Sequence, residues 1–151
     1  MKEYRVIIPE ESYQILEFKQ DLLPGIAVVN ASLTSFEPKE VFSWHCSVMV
    51  ELEDLMENGM PTREERVILD EYGDFLDSEI KGTQSDKPNA LFLARITWNR
   101  SRELIWRVHD AEKTFQFLQQ IIDQETHDRQ FNFRIDPDPE WTLATWHLAN
   151  C

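Results

Sequence analysis

From Trp44 to Leu52 the chain alternates with a period of two: Trp44, Cys46, Val48, Val50 and Leu52 share one side, and His45, Ser47, Met49 and Glu51 the other. Such alternation commits a segment to a strand lying on a core, and it constrains everything that follows. Gly59-Met60-Pro61 closes a loop, after which Thr62 and Glu65 stand at the spacing of a capping box. Ile68, Leu69, Tyr72, Phe75, Leu76 and Ile80 recur at steps of three and four, so a helix is expected over 62–81, stopped by Gly82. A polar stretch, 83–88, leads to two strands, 91–98 and 103–109, joined through Asn99-Arg100-Ser101 as a hairpin. Asp110 caps a second helix, 110–125, with Ala111, Phe115, Leu118 and Ile122 as its inner stripe. Phe131, Phe133 and Ile135 alternate in a final strand. Strand, helix, strand, strand, helix, strand is the order of a ferredoxin-like core. The expectation is an α+β fold, βαββαβ, with an antiparallel sheet and both helices on one face.

The flanks add to this core. Val6-Ile7-Ile8 and residues 26–33 read as two further strands at a sheet edge, with 10–19 between them as a weak helix or turn. Asp136-Pro137-Asp138-Pro139-Glu140-Trp141 reads as a rigid turn in which Asp138 caps a short helix reaching His147. Residues 1–151 are expected to form a single domain: an N-terminal strand extension (1–40), the core (44–136), and a C-terminal turn and helix (137–151).

Fifteen Lys and Arg against 28 Asp and Glu give a net charge of −13, which is not confined to a tail. Direct nucleic-acid binding needs a basic footprint, and an anionic membrane would repel this chain, so neither is expected. Five Trp, nine Phe and three Tyr, with 42% hydrophobic residues, exclude a disordered chain. Two distant cysteines, Cys46 and Cys151, provide neither a disulfide framework nor a closed cysteine zinc site. The opening Met1-Lys2-Glu3-Tyr4-Arg5 reads as neither a signal peptide nor a span, and a cytoplasmic address is expected.

If Trp44, Cys46, Val48, Phe92, Ala94, Ile96, Leu104, Trp106 and Val108 face the helices, the opposite face is fixed as well. It would carry His45, Arg95, Arg107, His109 and Arg134, a local concentration of cations in an acidic chain. One reading is a binding surface for an anionic ligand or a partner's acidic groups. The plainer one, which we prefer, is a solvated face laced by cross-strand ion pairs such as Glu51 with Arg107.

Catalytic constellations are sparse. The four glycines, at 25, 59, 73 and 82, stand too far apart for a phosphate loop, and neither a nucleophile elbow nor a zinc-protease motif occurs. His45 and Cys46 are neighbours on a strand, point to opposite faces, and form no dyad. His147 and Cys151 have metal-ligand spacing but no second pair, and Asp136, Asp138 and Glu140 lack the glycine of a calcium loop. The carboxylates along the first helix fall mostly on its polar side. No catalytic residue, metal or cofactor is assigned.

Taken together, Gly59-Met60-Pro61 with the capped helix Thr62 to Ile80, the hairpin from Ala94-Arg95-Ile96-Thr97 to Arg102-Glu103-Leu104-Ile105-Trp106, and the closing Asp138-Pro139-Glu140-Trp141 resemble a bacterial family known as domain of unknown function 695. The resemblance runs from about Ser12 to His147 and departs at Arg100, where a glycine would be expected in the turn. It implies no activity. Some relatives are joined to a domain similar to a bacterial regulator that inhibits ribonuclease E, which leans toward protein-binding regulation.

The expected function is therefore a non-enzymatic cytoplasmic module that binds a basic protein partner, in the manner of an inhibitor or immunity protein acting on a nuclease. The alternative is a small-molecule or anion binder, or an enzyme, using Arg95, Arg107, Arg134, His45 and His109.

Overall fold

The computed structural model describes residues 4–151, and the opening Met1 to Glu3 lies outside them. Six strands form one sheet: β1 (Tyr13–Gln20), β2 (Leu23–Asn30), β3 (Trp44–Glu51), β4 (Ala90–Trp98), β5 (Ser101–Val108) and β6 (Phe131–Pro137). Every pairing is antiparallel, and the spatial order is β1-β2-β4-β5-β3-β6. Three helices accompany it: α1 (Arg63–Lys81), α2 (Ala111–Gln124) and the short α3 (Thr145–Ala149).

The helical stripes and the strand alternation meet in a first core. Leu69, Tyr72, Leu76 and Ile80 of α1 and Leu118 and Ile121 of α2 pack on Cys46, Val48, Val50, Leu104, Trp106 and Val108. The entrance to α1 is half a capping box. Thr62 Oγ1 accepts from the Glu65 N–H at 3.2 Å, but the return bond is absent, because the Thr62 N–H donates to the Asp54 carbonyl. The buried Glu65 carboxylate instead takes charge-assisted bonds from Arg129, with Nε at 2.9 Å, and the Glu53 N–H at 2.8 Å. A charged donor is the stronger claim on a buried carboxylate.

Three expectations need correction. Val6 to Ile8 is not a strand; the strand pairing with β2 is Tyr13–Gln20, in the stretch expected to be helix or turn. As an edge strand it is mostly exposed and shows little burial periodicity, which hides it. Its register is pinned where the Phe18 ring lies across Gly25, since a Cβ there would stand 2.2 Å from Phe18 Cζ.

The second correction concerns β4. Phe92 pairs with Trp106, but Ala94 pairs with Ile105, so Leu93 is an extra residue in a bulge. Beyond it the faces exchange: Ala94 and Ile96 join the side away from the helices, and Arg95 turns toward α1.

The third is the open face. The side away from α1 and α2 carries a second core, in which Ala27, Val29, Leu33, Phe36, Phe42, Leu91, Leu93, Ala94, Ile105, Trp141 and Ala144 are buried. Residues 31–42 and the C-terminal turn supply its cover, with Phe36 stacked on Trp141 at 5.7 Å. Apolar side chains lie on both faces of β4 and β5, so one layer of helices cannot bury them all.

Candidate functional site

The covered face decides the fate of the cationic set. Arg107 lies opposite His45 in the β3–β5 register and is fully buried. Its Nη1 donates to Asp138 Oδ2 and to His45 Nδ1, both at 2.9 Å, and its Nη2 donates to the carbonyls of Phe42 and Asp138. The guanidinium sits 4.8 Å from the centre of the Trp141 ring. Asp138 in turn accepts from the N–H groups of Thr142 and Leu143 at 3.0 and 2.9 Å, the capping role expected of it. Burial alone would raise its pKa, but the Leu143 N–H, Arg107 and the Thr142 N–H outweigh it and hold the carboxyl below its usual range. His45 is pushed down to about 4, first by burial and then by Arg107, so its Nδ1 is the neutral acceptor the arginine requires. This closed cage is a bracket between the sheet and the C-terminal turn. Glu51 is not part of it; it lies opposite Ser101 and is exposed.

The other three residues are dispersed. Arg134 projects from the edge strand β6 and is exposed, with Asp136 at 3.4 Å. His109 Nδ1 donates to the Val41 carbonyl at 2.6 Å and packs edge-on to Tyr4. It borders a groove of about 510 Å³ between the end of α1 and the start of α2, alongside Lys81, Lys87 and Lys113. Arg95, carried across by the bulge, lies on the helix side. Of the five, only His45 and Arg107 touch.

Arg95 belongs to a different constellation. Arg102 of β5 is buried and donates from Nη1 to Asp70 Oδ1 at 2.8 Å and from Nε to Thr97 Oγ1 at 3.0 Å. Arg95 Nη1 stands 3.5 Å from the same carboxylate. These groups border a cleft of about 280 Å³ between α1 and the sheet, floored by Val28, Phe92 and Leu104 and walled by Asp70, Asp74 and Asp77. Asp77 is engaged by the Trp106 Nε1–H at 2.8 Å and Lys81 at 3.0 Å. Asp74 has no ion-pair partner among the described residues.

Around this wall the acidity of the chain is concentrated. Residues 51–81 carry eleven acidic and three basic groups, a net of −8 out of −13. Glu53, Asp54, Glu57, Glu64, Asp70, Glu71, Asp74 and Glu79 are all exposed. Among the described residues no group of three or more His, Cys, Asp or Glu is placed to hold a metal ion. Cys46 is buried, and burial pushes its thiol up to about 12, far from a reactive thiolate. His147 is also buried, and no described helix is long and apolar enough to cross a membrane.

Sequence reasoning missed the cleft. Its one signal was Gly73, a glycine inside an otherwise regular helical stripe. The bulge that brings Arg95 to it has no mark in Leu91-Phe92-Leu93-Ala94, where every residue is apolar.

Comparison with known proteins yields one relationship. The model of the family described as DUF695, a family of unknown function, matches residues 19–146. No curated protein and no solved structure matches the chain.

Proposed function

The chain belongs to DUF695, a family of unknown function, and from its own surface we propose a non-enzymatic protein-binding module of the inhibitor or immunity kind, acting on a partner with a basic surface such as a nuclease. One observation carries the reading: the net −8 of residues 51–81, eight of whose carboxylates are exposed on α1 and the loop that leads into it. A field of one sign on one element speeds encounter with an opposite surface and orients it. The cytoplasm suits such a protein, because its two cysteines, one buried and one exposed, are both free thiols.

We read β4-β5-β3-β6 with α1 and α2 as a ferredoxin-like unit extended by β1 and β2. Support comes from the chain order of those six elements and from the placement of both helices in the first core.

The test is charge reversal. A Glu64→Lys, Glu71→Lys, Glu79→Lys variant and the unaltered protein are used as bait in extracts of the source cells, and association with each retained protein is then timed at about 0.05 and about 0.5 M salt. The expected result is a basic partner that the variant fails to retain and whose on-rate falls steeply with salt. Identical retention by both baits, or on-rates indifferent to salt, overturns the reading.

A further inference from the structure

We infer that the basic partner docks along the α1 side of the cleft at Gly73, as an amphipathic segment laying apolar side chains on Ile15, Ile26 and Val28 and setting a cationic side chain against Asp74. The inference rests on the protein-binding reading above. Its first support is the uneven cover of the sheet: the helix-side core draws on β3 to β6, and none of its residues comes from β1 or β2. Beyond α1, the same side of β1 and β2 leaves Ile15 70% and Ile26 37% exposed. Ile15 pairs with Val28, and Ile26 follows two residues before it on β2, so the three form one apolar floor. Large apolar groups at that exposure, side by side and bordered by charge, mark an interaction site.

The second support is the wall. Asp70 is already shared by Arg95 and Arg102, and Asp77 by Lys81 and Trp106, whereas Asp74 between them has no such partner. Within the cleft wall, Asp74 is therefore the carboxylate left for a lysine or arginine from outside, and it stands beside the apolar floor. The third support is Gly73. Glycine weakens a helix interior, and the fold does not demand it: a Cβ there would meet only Leu104 Cδ1, at 3.8 Å, an ordinary contact. What the missing side chain provides is width in the cleft, where an incoming side chain can approach the helix backbone closely. Charge selects the occupant: a second copy of this chain would bring its own net −13 and face Asp74 with like charge, whereas a cationic amphipathic segment answers wall and floor together.

The experiment uses the whole protein and two synthetic peptides of the same leucine and lysine composition, one patterned as an amphipathic helix and one scrambled. Binding is measured by calorimetry for the unaltered protein and for Gly73→Leu, Ile15→Ser, Asp74→Asn and, away from both the cleft and the acidic segment, Glu140→Gln, each checked by its melting curve. The patterned peptide is expected to bind at least about tenfold tighter than the scrambled one, and the three cleft variants to lose about tenfold each while Glu140→Gln loses less than about twofold. If Asp74→Asn weakens binding and Ile15→Ser does not, the cleft is overturned while the acidic-surface reading stands. If the patterned peptide does not bind at all, the cleft is likewise overturned, and the charge-reversal experiment alone decides the broader reading. Self-association of the protein abolished by Gly73→Leu would assign the cleft to a second copy and overturn the inference. Should Gly73→Leu melt early, Asp74→Asn and Ile15→Ser carry the decision.

Discussion

Arg107 and Asp138 meet at 2.9 Å, the arginine fully buried and the aspartate nearly so, the arginine from β5 and the aspartate from the turn after β6. Neither charge is tolerable there alone. Asp138→Ala strands a buried guanidinium and removes the acceptor for Thr142 and Leu143, and it is expected to cost about 3–5 kcal/mol in urea unfolding. The double variant Arg107→Met, Asp138→Leu removes both charges and is expected to recover much of that loss. A double variant no better than the single one would show that the pair itself, not the isolated charge, sets the cost.

His45 links this bracket to pH. Its folded value of about 4 lies below the ordinary 6.5, so the unfolded chain binds the proton more readily. The groups facing it are Arg107, His147, Asp138 and Asp136, and burial and the two cations outweigh the carboxylates. Stability is therefore complete above about 6.5 and declines as pH falls toward about 4, with His45 contributing at most about 1.4 kcal/mol per pH unit. His147, also lowered chiefly by burial, acts in the same direction. Denaturation midpoints between pH 7 and 4 should fall less steeply in His45→Gln than in the unaltered protein.

The β1–β2 hairpin turns through Asp21 and Leu22 at φ 52° and 67°, both left-handed. For leucine that conformation costs about 1–2 kcal/mol, and glycine's freedom in the unfolded chain returns about 0.5–1 of any gain. Leu22 is 90% exposed, so no packing is lost on its removal. Leu22→Gly, which creates the Asp-Gly pair such turns favour, is expected to stabilise the protein by about 0.5–1 kcal/mol. A lower melting temperature would mean that the leucine makes a contact beyond the turn.

At the start of α1 the two halves of the sequence motif have separate duties. Thr62→Ala loses the bond to the Glu65 N–H and the 2.6 Å bond to Asp54, and about 0.5–2 kcal/mol is expected, with partner binding unchanged. Glu65→Gln breaks the ion pair with Arg129 and is expected to cost more, about 3 kcal/mol. The ranking of the two in chemical denaturation is the test.

Elements with a strong period were legible in the sequence. Trp106 lies in the first core at 0% exposure, as the alternation from Glu103 to His109 required, and Leu69, Tyr72, Leu76 and Ile80 of the α1 stripe are buried with it, whereas Ile68 and Phe75 stay exposed. In α2 the buried side is Thr114, Leu118 and Ile121, so Phe115, expected to face inward, is exposed instead. What escaped has no period to read. Leu33 and Phe42 end short 3-10 turns and Phe36 and Trp141 sit in loops, so their convergence into a second core depends on contacts far apart along the chain. Leu93 is one apolar residue among several, and its insertion reversed the assignment of Arg95 while leaving that of Arg107 intact. His45 and Arg107 were placed on the correct face, but local sequence could not reveal that the face would be covered.

The shared second core also imposes an order on synthesis. Ala27 and Val29 emerge from the ribosome early, but their burial is complete only when Trp141 and Ala144 arrive more than a hundred residues later. Until then a translating chain presents the unfinished face of β2 to the surrounding solution, whatever the helices have achieved on the other side. The nascent protein should therefore be a client of chaperones up to its final segment, and a ribosome stalled before residue 137 should hold a chain that proteases cut within residues 13–42.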